Sequence, residues 1–283
     1  MIFDLTTELE TNNIRRLVKQ ALAEDIGDGD ITAKLLSATQ TAIATIITKE
    51  NMVFAGQAFV TEVFAYLDDN IKIKWHYQDG DIVSANTTIC ELFGNARKLL
   101  TGERTALNFL QFLSATATQT RHYVQQLQGT STKLLDTRKT IPLFRQAQKY
   151  AVYCGGGHNH RIGLYDVILI KENHILASGG LQSAVARARD LYPQKIIDVE
   201  VEDLQQLALA LQTSADIIML DDFSLAEMRI AVQQTTGKKP LEASGMVTLE
   251  DIATVAATGV DYISVGTITK NIHAIDLSMR LKN

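Results

Sequence analysis

The sequence predicts an α/β protein whose larger part is an open, atypical α/β barrel, with a doubly wound sheet as the alternative. Two observations lead there. From about residue 130 onward, short apolar runs alternate with helix-compatible segments. Ahead of that point, β-branched alternating segments and helices lack this rhythm and read as α+β. Size and composition permit it: 283 residues, 46% hydrophobic and 21% charged, can bury one large core or two modest ones.

From about Thr7 to Ala23, Leu9, Ile14, Leu17, Val18, Ala21 and Leu22 recur at helical spacing. Glu24-Asp-Ile-Gly-Asp-Gly-Asp30 breaks that helix. The segment lacks the glutamate that closes a calcium loop, so a solvated turn is expected. Residues 41–49, 71–77 and 87–93 read as strands, 57–67 as a helix between the first two, and 97–115 as a long helix with Leu99, Leu100, Leu107, Leu110 and Leu113 to pack. Later strands are expected at 133–135, 167–170, 196–201, 217–220, 241–243 and 262–265. Helices are expected between them at 143–152, 181–191, 204–211, 224–235 and 249–257. This alternation favours parallel strands with right-handed crossovers. Six strands fall short of the closed eight-stranded barrel, and residues 120–130 are a candidate for one more.

A formal charge of -5 and a pI near 5.7 oppose general nucleic-acid binding, which needs a broad basic surface. No apolar run approaches the roughly 20 residues of a membrane span. The start, Met1-Ile-Phe-Asp-Leu-Thr, has no basic-then-apolar signal pattern. Cys90 and Cys154 are too few for a disulfide framework, and a cytoplasmic setting is expected. Cys154 reads more readily as a small buried residue than as a reactive thiol.

Against this acidic background, Arg138, Lys139, His158, His160, Arg161, Lys171 and His174 crowd into one stretch around the triple glycine Gly155–Gly157. In barrel folds the C-terminal strand ends converge on one face and carry the site. Here they run into Asp136-Thr-Arg-Lys139, Lys171-Glu-Asn-His174, Glu200-Val-Glu202, Asp221-Asp222, Ser244-Gly-Met246 and Gly266-Thr267. Arg138 and Arg161 offer planar forks for carboxylates or phosphates, and Lys139 and Lys171 offer compact charge. His160 can donate a hydrogen bond and titrate near neutrality. The glycines permit positive backbone angles and close approach of a ligand. Ser244-Gly245-Met246 and Val265-Gly266-Thr267 can present backbone N–H groups to a phosphate. Glu200 and Asp221 can hold sugar hydroxyls, ligate Mg²⁺ through water, or stabilise positive charge on a ribose. Glu202 and Asp222 rank lower, because regular strands would aim their side chains elsewhere. His158 and His174 are read as supporting residues. The whole suits a small polyanion.

Several motifs carry a specific resemblance: Thr101-Gly-Glu-Arg-Thr-Ala-Leu-Asn108, Asp136-Thr-Arg-Lys-Thr140, Lys149-Tyr-Ala-Val152, Gly155-Gly-Gly-His-Asn-His-Arg161 and Leu169-Ile-Lys-Glu-Asn-His174. Val199-Glu-Val-Glu202, Met219-Leu-Asp-Asp-Phe223, Glu242-Ala-Ser-Gly245 and Gly259-Val-Asp-Tyr-Ile-Ser-Val-Gly266 extend it in order. Together they closely resemble the nicotinate-nucleotide pyrophosphorylase (carboxylating), or quinolinate phosphoribosyltransferase, family over nearly the full chain. That resemblance implies an N-terminal α/β sandwich (1–115), an open barrel (116–269), and a tail from about 270 to 283 that returns to the first domain. It implies a homodimer in which Arg104 is contributed across the interface. Arg138, Lys139, His160, Arg161 and Lys171 match the cationic substrate pocket. Thr137 lies in the same motif, and Lys139, Lys171, Glu200 and Asp221 are the expected catalytic groups. Glu200 and Asp221 match the acidic pair near ribose and metal, and the late glycine loops match the phosphate region.

The implied reaction joins quinolinate to phosphoribosyl pyrophosphate with Mg²⁺, giving nicotinate mononucleotide, pyrophosphate and CO₂ in NAD biosynthesis. Departures occur at Ser114-Ala-Thr-Ala-Thr118 (Ser-Gly-Ile-Ala-Thr is more usual), Asp222 (often Asn), Met246 (often Gly or Asn) and Thr267 (often Ala). Three other readings stand beside this one. They are a molybdenum-transport-associated paralogue of the same fold, a Schiff-base aldolase using Lys171, and an anion-binding module without turnover. The intact Asn159-His-Arg161 and Lys171-Glu-Asn-His174 favour the quinolinate enzyme over the paralogue.

Overall fold

The first amphipathic segment forms helix α1 (Thr11–Ile26), which buries Ile14, Leu17, Val18 and Leu22 on one face. A computed structural model describes residues 11–282, so the expected helix start at Thr7 and its Leu9 lie outside the described residues. There follow β1 (Thr41–Thr48), β2 (Met52–Val53), α2 (Gln57–Leu67), β3 (Lys72–Trp75), β4 (Ile82–Val83), β5 (Thr87–Asn95) and α3 (Ala96–Gln126). The acidic turn is solvated, with Asp30 used locally: its carboxylate accepts from Ala33 N at 2.9 Å and Thr101 Oγ at 2.9 Å.

Helix α3 runs well past the expected end, so the strand sought at 120–130 is not there; residues up to 126 are helical. Its threonines carry β propensity, but Thr116, Thr118 and Thr120 each donate their hydroxyl to the carbonyl four residues back. That bond satisfies each hydroxyl within its own helix. Tyr123 and Leu127, four apart, are both buried, which is helical and not strand spacing. The departures at Ala115 and Thr116 leave the supporting hydroxyls in place: Ser114 Oγ accepts from Ala55 N and Thr118 Oγ1 from Val53 N.

The second half alternates as expected: β6 (Lys133–Leu135), α4 (Arg145–Cys154), β7 (Val167–Ile170), α5 (Glu172–Ala177), α6 (Leu181–Leu191), β8 (Ile196–Val201), α7 (Leu204–Ala210), β9 (Ile217–Asp221), α8 (Leu225–Thr235), β10 (Leu241–Ser244), α9 (Ile252–Ala256), β11 (Tyr262–Ser264), α10 (Thr267–Lys270) and β12 (Leu277–Lys282). Strands β6 to β11 form one parallel sheet in the order β6-β11-β10-β9-β8-β7. From β7 the chain adds each strand beside the last, without the mid-sheet reversal of a doubly wound fold. The first strand, β6, closes on the last, β11. Among the described residues no ladder joins β6 to β7, so the sheet is open there. A single bridge, Leu135 to His158, lies along the free side of β6. Strands β8 and β9 are near-continuously buried, as parallel strands covered on both faces are.

The chain forms two compact units. One holds His122–Arg145 and Gly157–Lys270, and so the parallel sheet. The other holds 11–121, Gln146–Gly156 and 271–282. In that second unit the antiparallel sheet has the order β12-β1-β5-β3, and the tail strand β12 pairs with β1 from Ile43–Lys282 to Thr48–Leu277. Phe59 and Phe109 stack at 4.7 Å between α2 and α3. Helix α4 is tied into this unit through Asp79. That carboxylate accepts from Gly56 N and Gln57 N at 2.9 and 3.0 Å, satisfying the start of α2, and from Tyr150 Oη at 2.7 Å.

Within the triple glycine, Gly155 serves packing and Gly156 supplies the positive backbone angle expected of the segment. Only Gly156 has positive φ, at 90°. A Cβ on Gly155 would lie 2.5 Å from Ala117 O and 2.6 Å from Thr120 Cβ on α3, neither of which can swing away. Gly155→Ala should therefore cost about 3 kcal/mol, at the upper end of ordinary overpacking. Urea denaturation checks this; a midpoint equal to that of the parent protein would contradict the contact. Both cysteines are free and buried, and burial pushes each thiol up to about 12, so neither is a poised nucleophile.

Candidate active site

The C-terminal ends of the parallel strands gather Thr137, Arg138, Lys139, His160, Arg161, Lys171 and Ser244 around one cavity of about 290 Å³, with Leu169, Met219, Glu242 and Ser264 completing its wall. Most of the expected cationic set is thus brought together. Buried Asp136 fastens the segment that follows the triple glycine to the end of β6. It accepts from Asn159 Nδ2 at 2.7 Å and from His160 N at 2.9 Å. Arg145, not singled out in the sequence, links the two loops. Its guanidinium donates to Thr140 Oγ1, Ile162 O and Arg138 O at 3.1, 3.1 and 3.4 Å. That leaves Arg138 and Arg161 as the pocket's forks. Burial first, and then the charge of Arg138, lower the pKa of Arg161. Two like charges held near each other in a partly buried wall call for an anion between them.

Lys171 ends β7 and pairs with Glu200 Oε2 at the end of β8. The carboxylate is buried and the ammonium nearly half exposed, so the pair faces the opening. His174 supports this placement: its Nδ1 accepts from Lys171 N at 3.0 Å, capping α5. His158 uses its backbone, donating to Leu134 O and accepting from Asp136 N. Asp221 ends β9 half-buried, in register beside Ser244. Neither Glu200 nor Asp221 lines the 290 Å³ cavity itself.

The late loops divide. Gly245 and Met246 line a neighbouring hollow of about 370 Å³ with Asp222, Phe223 and Ser224. Val265 is buried and donates its N–H to Leu135 O, while Thr267 Oγ1 meets Tyr123 Oη at 3.2 Å. Gly266 lies against the first loop, where a Cβ would come within 2.8 Å of Lys139 Cδ. Thr269 Oγ1 donates to Lys139 O at 2.9 Å, which joins the two loops. Gly266→Ala should leave stability within about 1 kcal/mol, since a flexible side chain can give way, yet displace the Lys139 ammonium and reduce turnover. A thermal scan beside an activity assay checks both; unchanged turnover would contradict it. Arg104 is exposed on α3, in the unit that does not contain this cavity.

Two side-chain expectations are corrected. Asp222 does not follow a regular strand: its φ is +53°, and its Oδ1 would lie 2.4 Å from a Cβ on Gly245, so it belongs to the 370 Å³ hollow. Glu202 is exposed because β8 stops at Val201; alternation alone would have put it on the face of Glu200. That same alternation puts Asp198 on the face of Glu200, and Asp198 and Glu242 are the site residues the sequence reading missed. Both are fully buried beside His160, whose Nε2 lies 3.4 Å from a carboxylate oxygen of each. Burial, and then the charge of Glu242, push Asp198 up to about 6. Burial lowers the affinity of His160 for a proton, but Glu242 and then Asp198 outweigh it. The balance pushes His160 up to about 10, so the imidazole stays protonated at neutral pH.

An open parallel α/β sheet with cations, carboxylates and glycine turns at its C-terminal strand ends defines a barrel-class enzyme that acts on a small polyanion. Family models agree along the chain: the N-terminal domain of quinolinate phosphoribosyl transferase matches residues 30–114, and its C-terminal domain matches residues 116–280. The chain belongs to the quinolinate phosphoribosyl transferase family. It is 42% identical over 267 residues to the probable nicotinate-nucleotide pyrophosphorylase [carboxylating] of Bacillus subtilis, covering 94% of this chain and 92% of the relative. To the Mycobacterium leprae nicotinate-nucleotide pyrophosphorylase [carboxylating] it is 36% identical over 286 residues, covering 98% and 100%. The solved nicotinate-nucleotide pyrophosphorylase from Francisella tularensis superposes with a TM-score of 0.96 at 52% identity, covering 99% of each chain.

Proposed function

We propose that this chain transfers a phosphoribosyl group from phosphoribosyl pyrophosphate to quinolinate with loss of CO₂, yielding nicotinate mononucleotide and pyrophosphate for NAD biosynthesis. The observation that carries this reading is the Arg138–Arg161 pair, two like charges in one small cavity with Lys139 and Lys171 beside them. A ring bearing two carboxylates suits that demand. Arg138 and Arg161 orient quinolinate so that its nitrogen faces C1 of the ribose. The nitrogen lone pair forms the bond to C1 as the C1–O bond to pyrophosphate breaks, and the electrons leave with pyrophosphate. Positive charge grows at C1, where Glu200 and Asp221 stabilise it and Lys139 and Lys171 attract the departing anion. The ring nitrogen is then cationic. The C2–carboxylate bond breaks, its electrons remain at C2 beside that nitrogen, CO₂ departs and C2 takes a proton.

The oxygen-only donors Glu200 and Asp221 fit Mg²⁺, which keeps waters and substrate oxygens in its shell. Bound there, Mg²⁺ would neutralise charge on the pyrophosphate. Purified protein given quinolinate, phosphoribosyl pyrophosphate and Mg²⁺ should form nicotinate mononucleotide, and nicotinate in place of quinolinate should not. Product from nicotinate alone would overturn the assignment.

The working form is a homodimer in which exposed Arg104 completes the partner's pocket. Arg104→Ala and Lys171→Ala proteins, each nearly inactive, should recover about a quarter of parental activity after subunit exchange, because one site in four then carries both residues. No recovery after verified exchange would contradict the shared site. Among the described residues no helix is long and apolar enough to cross a membrane. The two unpaired cysteines suit the cytoplasm.

A further inference from the structure

Asp222 directly follows β9, and a regular strand would turn its side chain to the face opposite Asp221. The backbone prevents that. The amide of Asp222 still donates to Ser244 O at 3.1 Å, just past the last pair of the ladder, Asp221 with Ser244. Its φ is then +53°, a left-handed angle that Asp and Asn adopt more readily than most residues. This turn sets Oδ1 against Gly245, 2.4 Å from where a Cβ would stand. The carboxylate thus fills the place of a side chain at position 245, where φ is +134°. Glycine is needed there on both counts.

Ser244-Gly245-Met246 is a loop whose backbone N–H groups suit a phosphate. A carboxylate against its middle residue acts in the opposite sense, because like charges repel. The 370 Å³ hollow that Asp222 shares with this loop is lined by two acids, Asp222 and Asp251, and among the described residues by no lysine, arginine or histidine. The cations of the site line the other cavity. We infer that Asp222 sets the affinity of this enzyme for the phosphate on the donor's ribose: its charge, held against Gly245, weakens phosphate binding at the Ser244–Met246 loop, and loss of that charge tightens it. The inference rests on the proposed reaction in taking phosphoribosyl pyrophosphate as the donor. Asp222→Asn isolates the effect, because Asn has the same shape and tolerates the same backbone angle, so charge alone changes.

The test is calorimetric titration of the full-length protein with ribose 5-phosphate, without Mg²⁺ or quinolinate, so that no turnover is needed. In low salt the Kd of Asp222→Asn should be about fivefold below that of the parent, the scale of one charge pair about 4 Å apart in water. In about 1 M salt the gain should shrink to less than about twofold, since charges are then screened beyond about 3 Å. Asp251→Asn is the control. It removes a charge from the same hollow, but that carboxylate accepts from Thr248 Oγ1 at 2.7 Å. It should change the Kd by less than about twofold. An Asp222→Asn protein that binds no more tightly than the parent, a gain undiminished in high salt, or an equal gain in Asp251→Asn would overturn the inference. In kinetics, Asp222→Asn should lower the phosphoribosyl pyrophosphate KM by a similar factor and leave the quinolinate KM unchanged. Tightening without nicotinate mononucleotide from either protein would sink the proposed reaction and support the role of Asp222. Turnover by the parent with no tightening in the variant would do the reverse.

Discussion

Replacing Lys171 by Met should lower kcat by about 10²–10³-fold, the usual scale for removing one preorganised electrostatic group. The ammonium is paired with Glu200, whose carboxylate is buried while the lysine is nearly half exposed. Lys171→Met therefore does two things: it removes the cation that the proposed reaction assigns to the departing pyrophosphate, and it leaves the Glu200 charge without its paired lysine. Glu200→Gln alone should also cost activity, by weakening the stabilisation of positive charge at C1. The double variant should be less impaired than the product of the single effects, because the residues act as one unit. Steady-state kinetics on all four proteins measures this, and strict multiplicativity would contradict the pairing. The same series addresses the Schiff-base alternative. Lys171→Arg should keep measurable turnover if the group acts through charge, and borohydride should trap nothing. A nucleophilic lysine would give neither result.

Arg161→Ala should raise the quinolinate KM by about 10–100-fold, the loss of one charge-assisted hydrogen-bonding group worth about 1.5–3 kcal/mol. The phosphoribosyl pyrophosphate KM should change little, because that donor is assigned to other groups of the site. Arg161→Lys should rescue poorly, since a point charge cannot reproduce a planar fork. The free protein should gain stability from Arg161→Ala. Burial and the neighbouring Arg138 both disfavour the charged Arg161, so its removal relieves repulsion. Thermal scans with and without quinolinate separate the two effects: the variant should melt no lower than the parent alone, and should gain less from ligand. A variant that melts lower alone yet binds quinolinate normally would contradict the role given to the pair.

Much of this was legible in the sequence because parallel strands advertise themselves. Six short apolar runs separated by helical segments were found as six strands in one sheet, and their polar ends marked the site face. The spacing of Arg138, Lys139, Arg161 and Lys171 carried the cationic wall because each follows a strand or a turn fastened to one. Residues 120–126 escaped because threonine propensity cannot report that the hydroxyls of α3 find their acceptors within the helix, at the carbonyl four residues back. The triple glycine was legible in part: Gly156 has the positive φ expected of it, but glycine marks close approach without saying what the neighbour is, which at Gly155 is a helix backbone. Asp198 and Glu242 were missed because carboxylates inside apolar strands look like exceptions until a buried imidazole is found between them. Arg145 was missed because its three acceptors are backbone and hydroxyl oxygens spread over 25 residues, from Arg138 O and Thr140 Oγ1 to Ile162 O, a pairing no local pattern announces.

The central claim is that one pocket both transfers the phosphoribosyl group and releases the 2-carboxylate. Quinolinate labelled with ¹⁴C in that carboxylate, supplied with phosphoribosyl pyrophosphate and Mg²⁺, measures it directly. Labelled CO₂, pyrophosphate and nicotinate mononucleotide should form in equal amounts, and none should form without phosphoribosyl pyrophosphate. Release of CO₂ without the donor, or binding of both substrates by the folded protein with no labelled CO₂, would contradict it.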